Sequence, residues 1–138
     1  MRKIVLLGLV VATMAANAHG ACQGKTIIAC TTTNGKQVEV CDNNDTIGYS
    51  FGKPNSPEKS LKLNRSDVSI QPMSGGYGCG NVDFSTGDTT YSVFSCSDKV
   101  ENTSYGVDVY VKKKHAATIK CSTKNKIVDN IADYPSKD

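Results

Sequence analysis

Groups able to transfer protons or attack a substrate are scarce in this chain of 138 residues. Its two histidines are His19 and His115, and His115 follows three consecutive lysines. No G-x-S-x-G nucleophile elbow and no H-E-x-x-H zinc motif occurs. Two of the 13 acidic residues could meet in space as a glycosidase carboxylate pair, but no spacing singles out such a pair. We therefore expect a protein that is not an enzyme and that uses no cofactor or metal.

Cysteine is the other chemically distinctive residue type. The six cysteines are Cys22, Cys30, Cys41, Cys79, Cys96 and Cys121. Zinc binding is the alternative use, but no C-x-x-C pair occurs and the shortest spacing is that of Cys22 and Cys30. An even number of cysteines in a small exported chain is typical of a disulfide framework. We expect three disulfides, and hence an oxidising compartment.

Residues 1–18 have the organisation of a secretory signal peptide. Two basic residues precede an apolar run over 4–12, and an A-x-A cleavage motif ends at Ala18. The run is too short to span a membrane, and a lipid anchor on Cys22 would leave an odd number of cysteines. We expect a periplasmic mature chain that is free of the membrane and forms a single domain over 19–138.

The charge of the chain bears on its partners. The formal net charge is +3, and loss of the signal peptide leaves 14 basic residues against 13 acidic ones. Lysines are concentrated in residues 112–126 and acids in residues 83–108, a segregation that solvated surfaces explain most simply. Because a nearly neutral domain gains little from a phosphate backbone, we expect no nucleic-acid partner.

Short β-rich segments separated by turn residues run through most of the mature chain. Within residues 105–112, Val107, Val109 and Val111 alternate with polar or aromatic residues, which indicates a strand with one core face. The pattern predicts an all-β fold, a small disulfide-bonded β-sandwich or barrel.

Two hairpin turns, at residues 34–35 and 86–87, suggest how the cysteines pair. In the register that each turn predicts, a cysteine on one strand is the diagonal neighbour of a cysteine on the next. The predicted disulfides are Cys30–Cys41, Cys79–Cys96 and, for the remaining two cysteines, Cys22–Cys121.

The last part of the chain has a different pattern. Ile127, Val128, Ile131 and Tyr134 recur at helical spacing ahead of Pro135. This predicts a short C-terminal helix packed on the sheet.

The segment "SGGYGCG" at residues 74–80 is the candidate binding element. No GK[ST] follows it, so it is not a phosphate-binding loop. As a recognition loop it would offer the Ser74 hydroxyl and the Tyr77 ring, with Gly75 and Gly76 supplying backbone freedom. Alternatively, the glycines allow a bend and Tyr77 packs inward on the core. The sequence leaves both interpretations open.

Glu39 is the second candidate for partner binding. It lies between Val38 and Val40, so it is expected on the outer face of its strand. A solvated surface residue is the simplest interpretation. The functional one is pairing with a basic rim or with a protonated catalytic acid of the target.

These features together resemble a known family. The chain combines a signal peptide, an "NGKQVEV" hairpin, an "SGGY" loop, an "FSTGDTTYSVF" strand pair and a final strand ending in cysteine. This layout is similar to that of the periplasmic and membrane-bound inhibitors of c-type lysozyme, small β-barrels that insert the serine of an S-G-x-x-Y loop into the lysozyme cleft. The resemblance implies that Ser74, Gly75 and Tyr77 are the counterparts, in a loop one residue shorter.

The same layout resembles periplasmic immunity proteins that neutralise type VI secretion effectors, some of which are lysozyme-like muramidases. Both resemblances imply an exported inhibitor that blocks the sugar-binding cleft of a peptidoglycan-degrading enzyme, with a homodimer left open. The alternative is an envelope adhesion or structural β-domain whose edge strands pair with other subunits.

Overall fold

The computed structural model describes residues 22–100 and 102–136, which form two five-stranded antiparallel sheets. The first sheet has the order β10-β1-β2-β3-β4 and contains β1 (Lys25–Thr31), β2 (Gln37–Asp42), β3 (Thr46–Lys53), β4 (Ser56–Asn64) and β10 (Val128–Asp129). The second sheet has the order β5-β6-β7-β8-β9 and contains β5 (Val68–Gln71), β6 (Gly78–Thr86), β7 (Thr89–Ser97), β8 (Thr103–Val111) and β9 (Lys114–Lys120). The all-β prediction is confirmed, whereas the predicted signal peptide, residues 1–18, lies outside the described residues.

One hydrophobic core is shared by the two sheets. Alternate residues of the central strands point into it, as with Val38 and Val40 of β2 and Val93 of β7, all fully buried. Tyr49 of the first sheet contacts Phe84 of the second with ring centroids 5.5 Å apart. Burying each such side chain contributes roughly 1.5–3 kcal/mol, so this interleaved set accounts for the pairing of the sheets.

The β1–β2 hairpin differs from its predicted form by one residue. The Gly35 N–H donates to the Thr32 carbonyl at 3.0 Å, so the turn is centred on residues 33–34, and Gly35 follows it with φ +81°. This is the three-residue hairpin loop that ends in a left-handed glycine. Cys30 is consequently opposite Val38 instead of Glu39, and it faces the core.

That shift makes two of the predicted disulfides wrong. A one-residue slip moves a side chain to the other face of a sheet, so Cys30 lies on the inner face while Cys41 lies on the outer face. The observed bonds are Cys22–Cys41 and Cys30–Cys121. The first attaches the N-terminal segment to the outer face of β2.

The third predicted disulfide, Cys79–Cys96, is confirmed. Here the β6–β7 loop is Gly87-Asp88, with Gly87 at φ +57°, instead of the predicted residues 86–87. The strands therefore shift so that Cys79 and Cys96 are directly opposite, with Cα atoms 4.1 Å apart. The shift leaves both cysteines on the same face of the sheet, so their pairing is preserved.

The Cys30–Cys121 bond joins the two sheets at one edge. Cys121 also forms a bridge with Thr32, and the Ser122 N–H donates to the Thr31 carbonyl at 2.7 Å. These contacts connect β1 of the first sheet to the end of β9 in the second. The architecture is therefore a sandwich partly closed toward a barrel.

The C-terminal segment is helical over three residues only, the 3-10 turn Ile131–Asp133. The residues before it form β10 on the open edge of β1, and the Asn130 N–H donates to the Ile27 carbonyl at 2.7 Å. A short helix has a costly nucleus, whereas strand pairing satisfies backbone groups that β1 would otherwise expose. Ile131, one of the residues at helical spacing, is buried in the core.

Candidate functional site

The loop between β5 and β6 is open to solvent. Ser74, Gly75, Gly76 and Tyr77 are all exposed, and Tyr77 is 57% accessible to solvent. A Cβ atom placed on any of the glycines from 75 to 78 would meet nothing within 4 Å. The inward-facing alternative for Tyr77 does not hold, and the ring is presented to solvent.

Both ends of this loop are fixed. At the exit, the Cys79–Cys96 disulfide joins β6 to β7. One residue later, a Cβ on Gly80 would lie 3.0 Å from the Met73 nitrogen and 3.2 Å from the Gln71 oxygen, so the outgoing chain passes against the incoming one. Gly75 and Gly78 have φ values of +82° and +113°, which favour glycine. A loop held in this way loses less conformational entropy on docking than a free one.

A second loop, between β7 and β8, lies beside the first, and Asp98 organises the described residues on either side of position 101. Its Oδ1 accepts hydrogen bonds from the backbone N–H groups of Val100 at 2.9 Å and Asn102 at 3.0 Å. The Asp98 N–H in turn donates to the Asn102 carbonyl at 3.0 Å. The hydrogen bond from Asn102, supported by that from Val100, holds the pKa of Asp98 below its usual value. The carboxylate therefore stabilises this turn while it is ionised.

The two loops meet through Tyr77 and Lys99. The Lys99 ammonium lies 5.3 Å from the centre of the Tyr77 ring, within the range of a cation–π contact. Val100, next to it, is 73% accessible. We call the exposed set of Ser74, Tyr77, Lys99 and Val100 the apical surface. It combines an aromatic ring, an aliphatic side chain, a cation and a hydroxyl, a mixture suited to protein recognition.

Lys99 and Val100 were not expected from the sequence. Both residues lie in the acid-rich stretch of residues 83–108, and no sequence motif connects that stretch with "SGGY". The available signal was the spacing of Asp98 and Asn102, which permits a side-chain-capped turn. The position of this turn next to Tyr77 depends on the β6–β7 register. The register predicted from the sequence differs from the observed one by two residues.

Glu39 lies on the outer face of the first sheet, opposite Ala29 and Ser50. Its side chain is half-buried and accepts a hydrogen bond from the Cys22 backbone N–H at 3.1 Å. The structure therefore gives Glu39 a partner within the chain. It lies in a different sheet from the strands that carry the apical surface, so the two candidate sites are not brought together.

His115 forms a polar cluster with Asp108 and Thr118 on the outer face of the second sheet. Its Nε2 lies 3.1 Å from Asp108 Oδ1 and 2.8 Å from Thr118 Oγ1, and the Thr118 hydroxyl donates to the same carboxylate oxygen at 2.5 Å. In a catalytic triad the hydroxyl and the carboxylate bond to different nitrogens of the imidazole, whereas both contacts here use Nε2, so the cluster does not have triad geometry.

A second polar cluster joins the C-terminal segment to the body of the protein. Asp42 accepts from the Tyr134 hydroxyl at 2.8 Å, the Asn44 N–H at 2.9 Å and Arg65 Nη2 at 2.5 Å. Burial acts to raise the pKa of Asp42, but these hydrogen bonds together outweigh it and the pKa is lowered. Burial, together with the hydrogen bond to Asp42, raises the pKa of Tyr134 to about 12.

Within residues 22–100 and 102–136, no three His, Cys, Asp or Glu side chains are grouped to hold a metal ion, and all six cysteines are disulfide-bonded. The same part of the chain contains no helix long and apolar enough to cross a membrane. Three disulfides indicate an oxidising environment, extracellular or periplasmic.

Comparison of the chain with protein-family models, with curated proteins and with solved structures found no match. The geometry of the two loops is therefore the basis for a functional assignment.

Proposed function

We propose that this protein is an exported, non-catalytic inhibitor that inserts its apical surface into the active-site cleft of a lysozyme-like, peptidoglycan-degrading enzyme. The observation that carries the proposal is the exposure of Tyr77 on a loop fixed at both ends. Enzymes that bind polysaccharides do so in elongated clefts, and a narrow, preformed projection is the shape that fills one.

Charge supports the same target class. Most glycosidases hold a pair of carboxyl groups on either side of the bond they cleave. The Lys99 ammonium, which contacts the Tyr77 ring, would lie near those carboxylates when Tyr77 enters the cleft. The Ser74 hydroxyl adds a group that can both donate and accept hydrogen bonds.

The proposal includes export by a signal peptide over residues 1–18 and residence in the periplasm, in agreement with the three disulfides. A protein located there would meet either a host lysozyme or a muramidase effector delivered by a neighbouring cell. We propose one mode of binding for both targets.

The test is to add the purified mature chain to a panel of c-type lysozymes and secreted muramidases and to follow clearing of a peptidoglycan suspension. Stoichiometric inhibition of at least one enzyme is expected. If no enzyme is inhibited or bound, the protein is not an inhibitor of this class.

One observation favours the alternative of an envelope adhesion or structural subunit. β9 is an edge strand whose residues 114–118 are all exposed, so its backbone could pair with another chain. Lysines and a register shift opposite Val109 and Tyr110 act against such pairing. Light scattering separates the two functions, because an inhibitor stays a monomer or small closed oligomer, such as a homodimer, while a structural subunit polymerises.

A further inference from the structure

A cleft of about 560 Å³ lies where the β2–β3 loop, the 3-10 turn Arg65–Asp67 and the C-terminal segment meet. Its volume is in the range that accommodates a small ligand or a long side chain. The apolar part of its wall is formed by Val68, Ile70, Tyr134 and Pro135. This wall can cover the stem of a ligand but offers nothing that would orient a polar head.

Orientation would come from the polar rim, in which Arg65 and Asp45 carry opposite charges. The Arg65 guanidinium is already engaged, because Nη2 is 2.5 Å from Asp42 Oδ1 and Nε donates to the Asn44 carbonyl at 2.7 Å. Asp42 is kept ionised by these contacts, so it neutralises Arg65. The arginine is therefore a poor anchor for an incoming anion.

The Asp45 carboxylate has no such compensation. The Asp45 backbone carbonyl accepts from the Arg65 N–H at 2.9 Å, but its side chain forms no ion pair with any residue in the described part of the chain. With Arg65 and Asp42 cancelling, the Asp45 carboxylate is the unbalanced charge among the described residues of the rim, next to an apolar wall. A cation on an apolar stem complements both features.

We propose that this cleft binds an alkylammonium or alkylguanidinium group, with the cation at Asp45 and the stem against Tyr134 and Pro135. Two sources could supply this chemistry: a free amine, or a lysine or arginine side chain of a partner protein. The inference does not depend on the proposed inhibitor function, since the apical surface contributes no residue to the cleft.

The experiment follows ¹⁵N–¹H spectra of the mature chain during titration with n-hexylamine hydrochloride at pH 7. Sodium hexanoate and n-hexanol are the controls, because they have the same stem with an anionic or a neutral head. We expect saturable shifts at the amides of Asn44, Asp45 and Ser66 with hexylamine, with a Kd on the order of 1 mM for so small a ligand. Hexanoate that binds as tightly as hexylamine would overturn the proposal.

Two variants test whether the Asp45 carboxylate is the charge that binds the ligand cation. Asp45→Asn keeps the backbone bond to Arg65 and should weaken hexylamine binding about fivefold or more, as expected for removal of a close opposite charge. Asp67→Asn, in the neighbouring 3-10 turn but not part of the cleft wall, should leave it unchanged. Equal affinity of Asp45→Asn and the unaltered protein would contradict the assignment.

A capped tripeptide with a central lysine distinguishes the sources. Shifts at the same amides would assign the cleft to a protein side chain, whereas a response to hexylamine but not to the tripeptide would assign it to free amines. If neither ligand produces saturable shifts, the cleft is not a cation site.

Discussion

Tyr77 is the residue on which recognition is expected to depend most. Its ring is 57% accessible and contacts the Lys99 ammonium, so it contributes little to the core. An exposed aromatic side chain on a rigid loop exposes apolar area that is buried when a partner binds. The other candidate, Glu39, is tied to the Cys22 N–H and is expected to contribute less.

Replacing Tyr77 by alanine should therefore affect binding and leave folding intact. We expect a loss of about 2 kcal/mol in binding free energy, roughly thirtyfold in affinity, measured by calorimetry against an inhibited enzyme. The melting temperature should change by no more than about 3 °C, as for a surface substitution. Tyr110→Ala, on the outer face of the second sheet, is the matched control. A sharp drop in the melting temperature of Tyr77→Ala with unchanged affinity would show that Tyr77 stabilises the fold and does not contribute to binding.

Lys99 supplies the charge of the apical surface. Lys99→Gln should lower affinity for the target and weaken its dependence on salt, since an ion pair with the cleft carboxylates is lost. Lys112→Gln, at the tip of the β8–β9 hairpin, is the control for a general effect of charge. The readout is the dissociation constant at two ionic strengths. Identical salt dependence in both variants would argue against contact between Lys99 and an acidic cleft.

At the scale of elements, two disulfides with similar sequence separation have different expected roles. Cys79–Cys96 spans 17 residues and fixes the exit of the β5–β6 loop, while Cys22–Cys41 spans 19 and attaches the N-terminal segment. Loop-closure entropy predicts a similar cost for removing either, about 3 kcal/mol of unfolding free energy.

Their effects on binding should differ. Cys79→Ala with Cys96→Ala should weaken target affinity about tenfold or more, because the loop must then be ordered on docking. Cys22→Ala with Cys41→Ala should lose comparable stability in urea unfolding but retain affinity. Equal affinities for the two double variants would show that fixing the loop does not matter to recognition.

The cluster of Asp42, Arg65 and Tyr134 makes the stability of the fold depend on pH in both the acidic and the alkaline range. The pKa of Asp42 is lowered in the folded protein, so its contribution is present above the unfolded pKa, about 3.9, and is lost as pH falls through the folded value. The pKa of Tyr134 is raised to about 12, so its contribution is complete below about 10 and is lost as pH rises toward 12.

Tyr134→Phe isolates the alkaline component. The free energy of unfolding, measured in urea from pH 8 to 12, should fall less steeply for the variant than for the unaltered chain. Tyr49, whose pKa is also raised by burial, retains its own pH dependence in both proteins. Parallel pH profiles would mean that the hydroxyl of Tyr134 does not contribute through Asp42.

The sequence predicted strands and their faces well because alternation is a local property. The fully buried Val38, Val40 and Val107 all follow from it. The registers of paired strands were less predictable. In the β1–β2 hairpin the turn can be centred on residues 34–35 or on 33–34, and the choice depends on the backbone conformation that the flanking strands favour at Gly35. That one-residue difference decided the partners of Cys30 and Cys41.

The candidate site was predicted in part for the same reason. "SGGY" identifies a loop by composition, and the confirmed Cys79–Cys96 bond explains how it is fixed. Lys99 and Val100 come from a segment about 20 residues further along, so their meeting with Tyr77 is a tertiary feature. Asp45 and Tyr134, which line the cleft, are separated still further in sequence, and no local pattern joins them.

At the scale of the whole molecule, a shared core and the Cys30–Cys121 disulfide hold the two sheets as one body, and the apical surface is exposed on two of its loops. Cys30–Cys121 closes a separation of 91 residues, the longest of the three bonds. It is therefore expected to constrain the unfolded chain most, by between about 4 and 5 kcal/mol. A rigid body behind a fixed projection is what a cleft-blocking inhibitor requires, because flexibility in either part would reduce affinity.

The central claim is that the apical surface occupies the sugar-binding cleft of its target, and competition for that cleft tests it most directly. A fluorescent chito-oligosaccharide is bound to a catalytically inactive form of an enzyme that the protein inhibits, and the mature chain is titrated in while anisotropy is followed. We predict complete displacement of the sugar at a 1:1 ratio and, for Tyr77→Ala, displacement only at roughly thirtyfold higher concentration. A ternary complex in which sugar and protein are bound together would contradict the claim.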